Sequence, residues 1–198
     1  MSHLIKQTFT ITRSDYESRN KHRGIVIWLT GLSGSGKSTI ANELNTRLFH
    51  QNKHAVILDG DNTRLGINSD LGFSNENRTE NNRRVAEIAK LFIESGNIVI
   101  CSFISPFQKD REMSKQIIGE ADYFEVFVDC SLEMCENRDV KGMYKQARNG
   151  ELESFTGISS PYEKPTNPQL VLNTEKLNLE QCTDLLEATI QERIKITE

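Results

Sequence analysis

The chain has 198 residues, 26% charged and 36% hydrophobic, with a formal net charge of −4 at pH 7. That length and composition suit one globular domain with its own core and exclude a disordered or fibrous chain. No basic tract favours general nucleic-acid binding, and no apolar run approaches the length of a membrane span.

Residues 1–23 are polar, lack the apolar stretch of a secretory signal, and are expected to wrap the surface or pack on a partner subunit. Gly24–Thr30 is short, apolar and β-branched, the pattern of a fully buried strand. Gly31-Leu32-Ser33-Gly34-Ser35-Gly36-Lys37-Ser38-Thr39 follows and reads G-x-x-x-x-G-K-[ST]. Ile40, Ala41, Leu44 and Leu48 then recur at helical spacing. Strand, glycine loop and helix together make a phosphate-binding loop: backbone N–H groups and a helix N-terminus face the phosphates, Lys37 adds an ammonium, and Ser38 offers a hydroxyl to Mg²⁺. A nucleoside triphosphate is the expected ligand.

Ala55–Leu58 predicts a second strand, ending in Asp59-Gly60-Asp61, and residues 62–76 a polar connection. A helix with Val85, Ile88 and Phe92 inward comes next, then a strand at Ile98–Cys101 and a helix from Pro106 to about Ile118. Phe124–Val128 predicts a fourth strand and Leu132–Arg138 a short helix. Residues 139–168 are rich in Gly and Pro, with basic residues at Lys141, Lys145, Arg148 and Lys164; Gln169–Leu172 and Leu179–Ile194 predict a last strand and helix. This alternation implies a parallel sheet covered by helices on both faces, with ligands at the carboxyl ends of its strands. The four cysteines form no C-x-x-C pair and read as reduced thiols of a cytosolic protein.

Several side chains are placed for chemistry. Asp59 and Asp61 end the second strand, where a carboxylate either accepts a hydroxyl proton or holds the water shell of Mg²⁺; a cap or turn role is the bland alternative. Beside a phosphate loop Asp61 is favoured for function. Asp129 ends another apolar strand and is a rival. Arg78 and Asn81 share a helical stripe with Val85, Ile88 and Phe92, so a cation and an amide face inward and need either an anionic ligand or a salt bridge with Asp61 or Glu80. Arg83 and Arg84 point elsewhere, as a solvated face. Ser105-Pro106 has the form of an N-cap before a first helical proline, and contact with substrate is compatible with it. Residues 139–158 look like a lid: Lys141, Lys145 and Arg148 are spaced 4 and 3, between glycines that allow a swing. An ordinary solvated basic helix is the alternative.

Six motifs in order carry a resemblance: Asp59-Gly60-Asp61-Asn62-x-Arg64, Asp70-Leu71-Gly72-Phe73-Ser74, Arg78-x-x-Asn81-x-Arg83-Arg84, Phe103-Ile104-Ser105-Pro106-Phe107, Arg138-Asp139-x-Lys141-Gly142-x-Tyr144 and Phe155-Thr156-Gly157-Ile158. With the phosphate loop they resemble adenylylsulfate (APS) kinase from about Ile11 to the C-terminus. The resemblance implies a single α/β domain over 1–198 of the three-layer P-loop NTPase type, with an N-terminal extension at 1–23 and a basic lid at about 139–165. It implies transfer of the γ-phosphoryl of ATP to the 3′-hydroxyl of adenosine 5′-phosphosulfate, giving PAPS, with Mg²⁺. Gly31, Ser33, Gly34, Ser35, Gly36, Lys37, Ser38 and Thr39 would hold the ATP phosphates, Arg138 would lie near the ATP base, and Ser38 and Asp61 would serve the metal. Asp61 would stand by the 3′-hydroxyl, with Asn62, Arg64, Arg78 and Asn81 on APS. Phe73 and Phe155 would sandwich its adenine, Ile104 and Ser105 would line the pocket, and Lys141 would come from the lid. Ser105 is a phosphoserine position in descriptions of the family. Its cap role is sufficient here, because direct in-line transfer needs no covalent step. A cytoplasmic homodimer that binds neither nucleic acid nor membrane is implied.

Departures from the family pattern are few: Gln108 and Lys109 stand where Arg often follows Pro-Phe, Val140 where Pro is common, and Met143 where Leu is common. A kinase for another small hydroxylated metabolite is the alternative enzyme, and the two phenylalanines argue against it. A GTPase-type switch has little support: Asp139-Val140-Lys141-Gly142 matches D-x-x-G, but no N-K-x-D guanine reader is present.

Overall fold

The computed structural model describes Ile5 and residues 7–196; Met1–Leu4, Lys6 and the last two residues lie outside the described set, and with them most of the stretch read for a signal. The elements run α1 (Arg13–Asn20), β1 (Val26–Thr30), α2 (Lys37–His50), β2 (Ala55–Asp59), α3 (Gly60–Arg64), α4 (Asn75–Glu94), β3 (Ile98–Ser102), α5 (Gln108–Ile118), β4 (Tyr123–Asp129), α6 (Leu132–Arg138), α7 (Met143–Arg148), β5 (Leu170–Asn173) and α8 (Leu179–Ile194). All strand pairs are parallel, in the order β2-β3-β1-β4-β5.

Every residue of β1 is buried, which explains its unbroken apolar sequence. Alternate side chains serve two cores. Ile27 and Leu29 join Ile40, Leu44 and Leu48 of α2 and Leu186 and Ile190 of α8 on one face. Val26 and Trp28 join Val85, Ala89 and Ile93 of α4 on the other. The result is the expected three-layer α/β arrangement. Because β1 lies between β3 and β4 while the chain leaves it for the edge strand β2, the crevice opens at the carboxyl end of β1, where the strand order reverses.

The structure departs from the sequence reading in four places. Residues 13–20 form a helix with a Thr12–Asp15 capping box, an element the sequence reading did not predict, and this part of the extension packs onto its own domain. Arg13 donates to Asp122 (2.6 and 2.8 Å) and to the Gly24 carbonyl (2.7 Å), and Asn20 to the Gly96 carbonyl. The connection after β2 begins with a turn of helix, α3, which carries Asp61. The buried stripe of α4 is rotated toward Ala86, Ala89 and Ile93, leaving Ile88 and Phe92 half-buried. Finally, α5 starts at Gln108, with Phe107 at the cap position and no side-chain cap, so Ser105 does not cap it. The Glu163 carboxylate accepts from the Gln108 N–H instead (2.7 Å).

Candidate active site

The phosphate loop joins β1 to α2. Gly31 (φ +154) passes so close to β4 that a Cβ there would lie 2.5 Å from the Val128 carbonyl oxygen, and Gly34 adopts φ +75, a left-handed conformation that favours glycine. The loop carbonyls are held from outside. Tyr144 Oη donates to Ser33 O (2.8 Å), Thr174 Oγ1 to Ser35 O (3.0 Å), and Arg138 Nη1 reaches Gly34 O (3.4 Å). Pinning the carbonyls outward turns the intervening amides toward the crevice. Lys37 is buried, and its Nζ donates to the carbonyls of Gly31 (2.9 Å) and Leu32 (2.6 Å). Burial lowers its pKa from 10.5 to about 8. Such a cation gains strongly from an anion.

Two carboxylates stand opposite. Asp59 Oδ2 accepts from Ser38 Oγ (2.7 Å), and Asp59 Oδ1 from the Asp61 N–H (3.0 Å). Ser38 Oγ also lies 3.2 Å from Ser102 Oγ. Asp61 itself is exposed and ion-paired to Lys141. The carboxylate in contact with the phosphate-loop serine is therefore Asp59, which the sequence reading weighed and set behind Asp61. Both oxygens of Asp59 accept from neighbouring groups, whereas Asp61 is exposed and turned to Lys141. Asp129 is turned to Lys164 (3.3 Å) and lies outside the crevice.

The crevice, about 280 Å³, continues from the loop to α3 and α4. Ser33, Gly34, Gly36, Lys37, Ser38 and Thr39 line its phosphate end. Asp61, Arg64, Phe73, Arg78 and Asn81 line the other, with Ile104, Ser105 and Lys141 between. Arg64 and Arg78 lie over the Phe73 ring, their Cζ atoms 4.5 and 5.7 Å from its centroid. Both donate only to backbone carbonyls, Arg64 to Leu71 and Gly72, Arg78 to Phe73 and Ser154. Among the described residues neither has a carboxylate at ion-pairing distance; Glu80, one expected partner, is taken by Arg83 and Arg84. Burial lowers both guanidinium pKa values, and for Arg78 the neighbouring Arg64 adds to the effect. Two cations crowded together without counter-charges mark an anion site.

Other assigned residues lie outside this cavity. Gly31 and Ser35 are buried behind the loop, and Asn62 is exposed on α3 without lining the crevice. Arg138 braces the loop from behind, donating to Thr174 O (2.7 Å). Phe155 is not a wall: it is 7% exposed and packs edge-on against Tyr144 with centroids 5.0 Å apart, so the aromatic sandwich is not formed in this structure. The basic face of the lid is also dispersed. Lys141 precedes α7, Lys145 faces solvent, and Arg148 pairs with Glu136. Ser105 is buried in a left-handed conformation (φ +43), its Oγ accepting from Trp28 Nε1 (3.0 Å) and donating to Asn82 Oδ1 (3.3 Å). Sequence reasoning missed Asn82 and Ser102 and gave no role to Phe103 and Tyr144, which stand in the quoted motifs; all four line the crevice. For Asn82 the available signal was its place beside Asn81 on α4.

A family model described as adenylylsulphate kinase matches residues 23–173. The adenylyl-sulfate kinase of Bacillus pumilus is 52% identical over 98% of each chain, and that of Bacillus licheniformis 53% identical over 94% of each. An APS kinase structure from Mycobacterium tuberculosis, in complex with AMPPNP and APS, superposes with a TM-score of 0.80 at 44% identity, over 83% of this chain and 96% of that one. A sugar kinase from a Janibacter species shares the fold, with a TM-score of 0.60 at 16% identity over 84% of this chain and 94% of that one. By the family match and by identity over nearly its whole length, the chain belongs to the adenylylsulphate kinase family.

Proposed function

We propose that this protein transfers the γ-phosphoryl of ATP to the 3′-hydroxyl of adenosine 5′-phosphosulfate, forming PAPS. The observation that carries the reading is the cluster of Arg64 and Arg78 on the Phe73 ring, facing a phosphate loop across one crevice. A flat apolar face beside two unpaired cations suits a ligand with an aromatic base and strongly acidic groups; gluconate or shikimate would leave the ring uncovered. The M. tuberculosis relative was solved with APS and an ATP analogue, which supports the same pair of ligands here.

Lys37 is the donor-side cation: on ATP binding its ammonium exchanges two carbonyls for phosphate oxygens and stabilises the charge that develops in transfer. Asp61 accepts the proton of the attacking hydroxyl, and Lys141 lies beside it to follow the phosphoryl group. The donor set fits Mg²⁺, which keeps several waters and takes hard oxygen ligands: Ser38 would ligate it and Asp59 and Asp61 would hold its waters, so that bound metal neutralises phosphate charge. Ser105 has its hydroxyl proton and a lone pair committed to Asn82 and Trp28, which supports direct transfer without a covalent intermediate. Arg138 flanks the ATP base from behind the loop. Phe155 joins Phe73 on the adenine when residues 139–158 close, a movement that the left-handed hinges Gly142 and Gly150 permit.

The reading extends to a homodimer, supported by the apolar surface that Phe9 and Ile11 expose ahead of α1, and to the cytoplasm, supported by four buried free cysteines. Among the described residues, no helix is long and apolar enough to cross a membrane. Solution mass measurement checks the dimer. ATP consumption measured with APS, AMP, gluconate and shikimate offered separately tests the activity. Turnover with APS alone is expected; turnover with gluconate or shikimate and none with APS would overturn it.

A further inference from the structure

Arg111 has no part in the chemistry above, yet its guanidinium is buried in the opening turn of α5, at 3% exposure. All three of its nitrogens are engaged. Nη1 donates to the Ser105 carbonyl (2.8 Å), Nη2 to the Glu163 carbonyl (2.9 Å), and Nε lies 3.0 Å from Glu125 Oε1. Burying a guanidinium is costly, and one carboxylate rarely offsets the cost; an apolar side chain would fill the space with less loss. The two carbonyls it grips are informative. Ser105 belongs to the loop that forms the wall of the crevice, and it is held at φ +43, a strained conformation that a serine keeps only where its surroundings enforce it. Glu163 belongs to the chain returning from the lid.

Glu163 closes the circuit. Its N–H donates to the Pro106 carbonyl (2.8 Å), and its carboxylate accepts from the Gln108 N–H (2.7 Å), replacing the absent side-chain cap of α5. Nearby, Tyr162 Oη shares a hydrogen bond with Thr30 Oγ1 (2.9 Å), which also donates to the Ile104 carbonyl (2.7 Å). The wall loop and the lid's return segment are thus stitched at several points, and among the described residues Arg111 is the side chain that engages both together with Glu125 of β4.

We propose that Arg111 is a positioning residue that makes the wall loop (103–107) and the lid's return segment (160–164) one mechanical unit, so that acceptor-site geometry depends on it while donor binding does not. The proposal rests on the reading of this end of the crevice as the acceptor site. Two measurements test it. Amide hydrogen exchange on the wild-type protein without ligand needs no activity. The Gln108 and Glu163 amides are expected to open together, with protection equal within about threefold. Exchange at Glu163 a hundredfold or more faster than at Gln108 would overturn the coupling.

Steady-state kinetics with Arg111→Lys, and with Arg111→Met/Glu125→Gln to avoid leaving a buried carboxylate unpaired, read the consequence. KM for APS should rise about tenfold or more while KM for ATP stays within about twofold, and Arg111→Lys should be milder than the double variant. Wild-type KM for APS in a folded variant, or equal losses for both nucleotides, would contradict it. If the wild-type enzyme does not use APS at all, the functional reading fails, and the exchange result still stands for or against the coupling.

Discussion

The phosphate half of the crevice comes from one unbroken stretch, Gly31 to Thr39, whereas the acceptor half is gathered from α3, α4, the loop after β3 and the segment before α7. In the first, the residues that face the ligand are near neighbours, and Lys37 bonds the carbonyls of Gly31 and Leu32, while Tyr144, Arg138 and Thr174 only brace the loop's outer carbonyls. In the second, Arg78 on α4 reaches Ser154, 76 positions away, and Lys141 meets Asp61, 80 away. A site built from local backbone geometry holds its shape before ligand arrives. A site built across the fold depends on how its segments are docked, and it is where motion and specificity belong.

The largest effect expected from breaking the phosphate half is that of Lys37→Ala. It removes the buried cation, and kcat/KM should fall by about 10²–10³-fold or more, with APS binding little changed. Near-normal turnover would refute the phosphate-loop role. The carboxylates sharpen the boundary between the halves. Asp61→Asn should lower kcat steeply with little change in KM for ATP, while Asp59→Asn, which loses the carboxylate charge and one of its two acceptor oxygens, should raise the Mg²⁺ concentration needed for half-maximal rate. The reverse pattern would exchange their roles. On the acceptor side, Phe73→Ala should cost about 1–3 kcal/mol of stacking, read as a raised KM for APS alone.

How far each half could be read from sequence follows from the same contrast. The phosphate loop needed only glycine spacing and its strand and helix context. Arg78 and Asn81 were also legible, because helical periodicity placed them on a buried face, and Arg78 is buried with no carboxylate partner among the described residues. Periodicity could not say which carboxylate of Asp59 and Asp61 turns toward Ser38, since that depends on α3, a one-turn helix that begins with Gly60. Nor could it show that Phe155 is stowed against Tyr144, or that Glu163, 55 positions away, caps α5 in place of Ser105. Those are products of tertiary docking.

A smaller effect follows from the buried state of Lys37. Its pKa in the free protein is about 8, and phosphate oxygens favour the charged form. Above pH 8 the free protein loses this charge, so ATP binding must draw a proton and weaken as pH rises. Calorimetry at pH 8.5 in two buffers of different ionisation enthalpy should show proton uptake with ATP and none with APS.

The smallest effect lies far from both halves and serves as a control. His22 is buried, its Nε2 accepting from the His54 N–H (3.0 Å), and burial lowers its pKa below 6.5. The unfolded chain therefore takes up the proton first. The contribution is fully present above about pH 6.5 and is lost as pH falls through the lowered folded value. Tm should decline from pH 7 to 5 more in wild type than in His22→Gln, with KM for both nucleotides unaffected in the variant.

The most direct test of the division of the crevice is a pair of binding titrations, with ADP and with APS, on wild type, Lys37→Ala and Arg78→Gln. The account predicts a crossed pattern: Lys37→Ala weakens ADP about tenfold or more and spares APS, while Arg78→Gln weakens APS by a similar factor and spares ADP. Loss of both ligands in each folded variant, or weaker ADP binding with unchanged APS binding in Arg78→Gln, would contradict it.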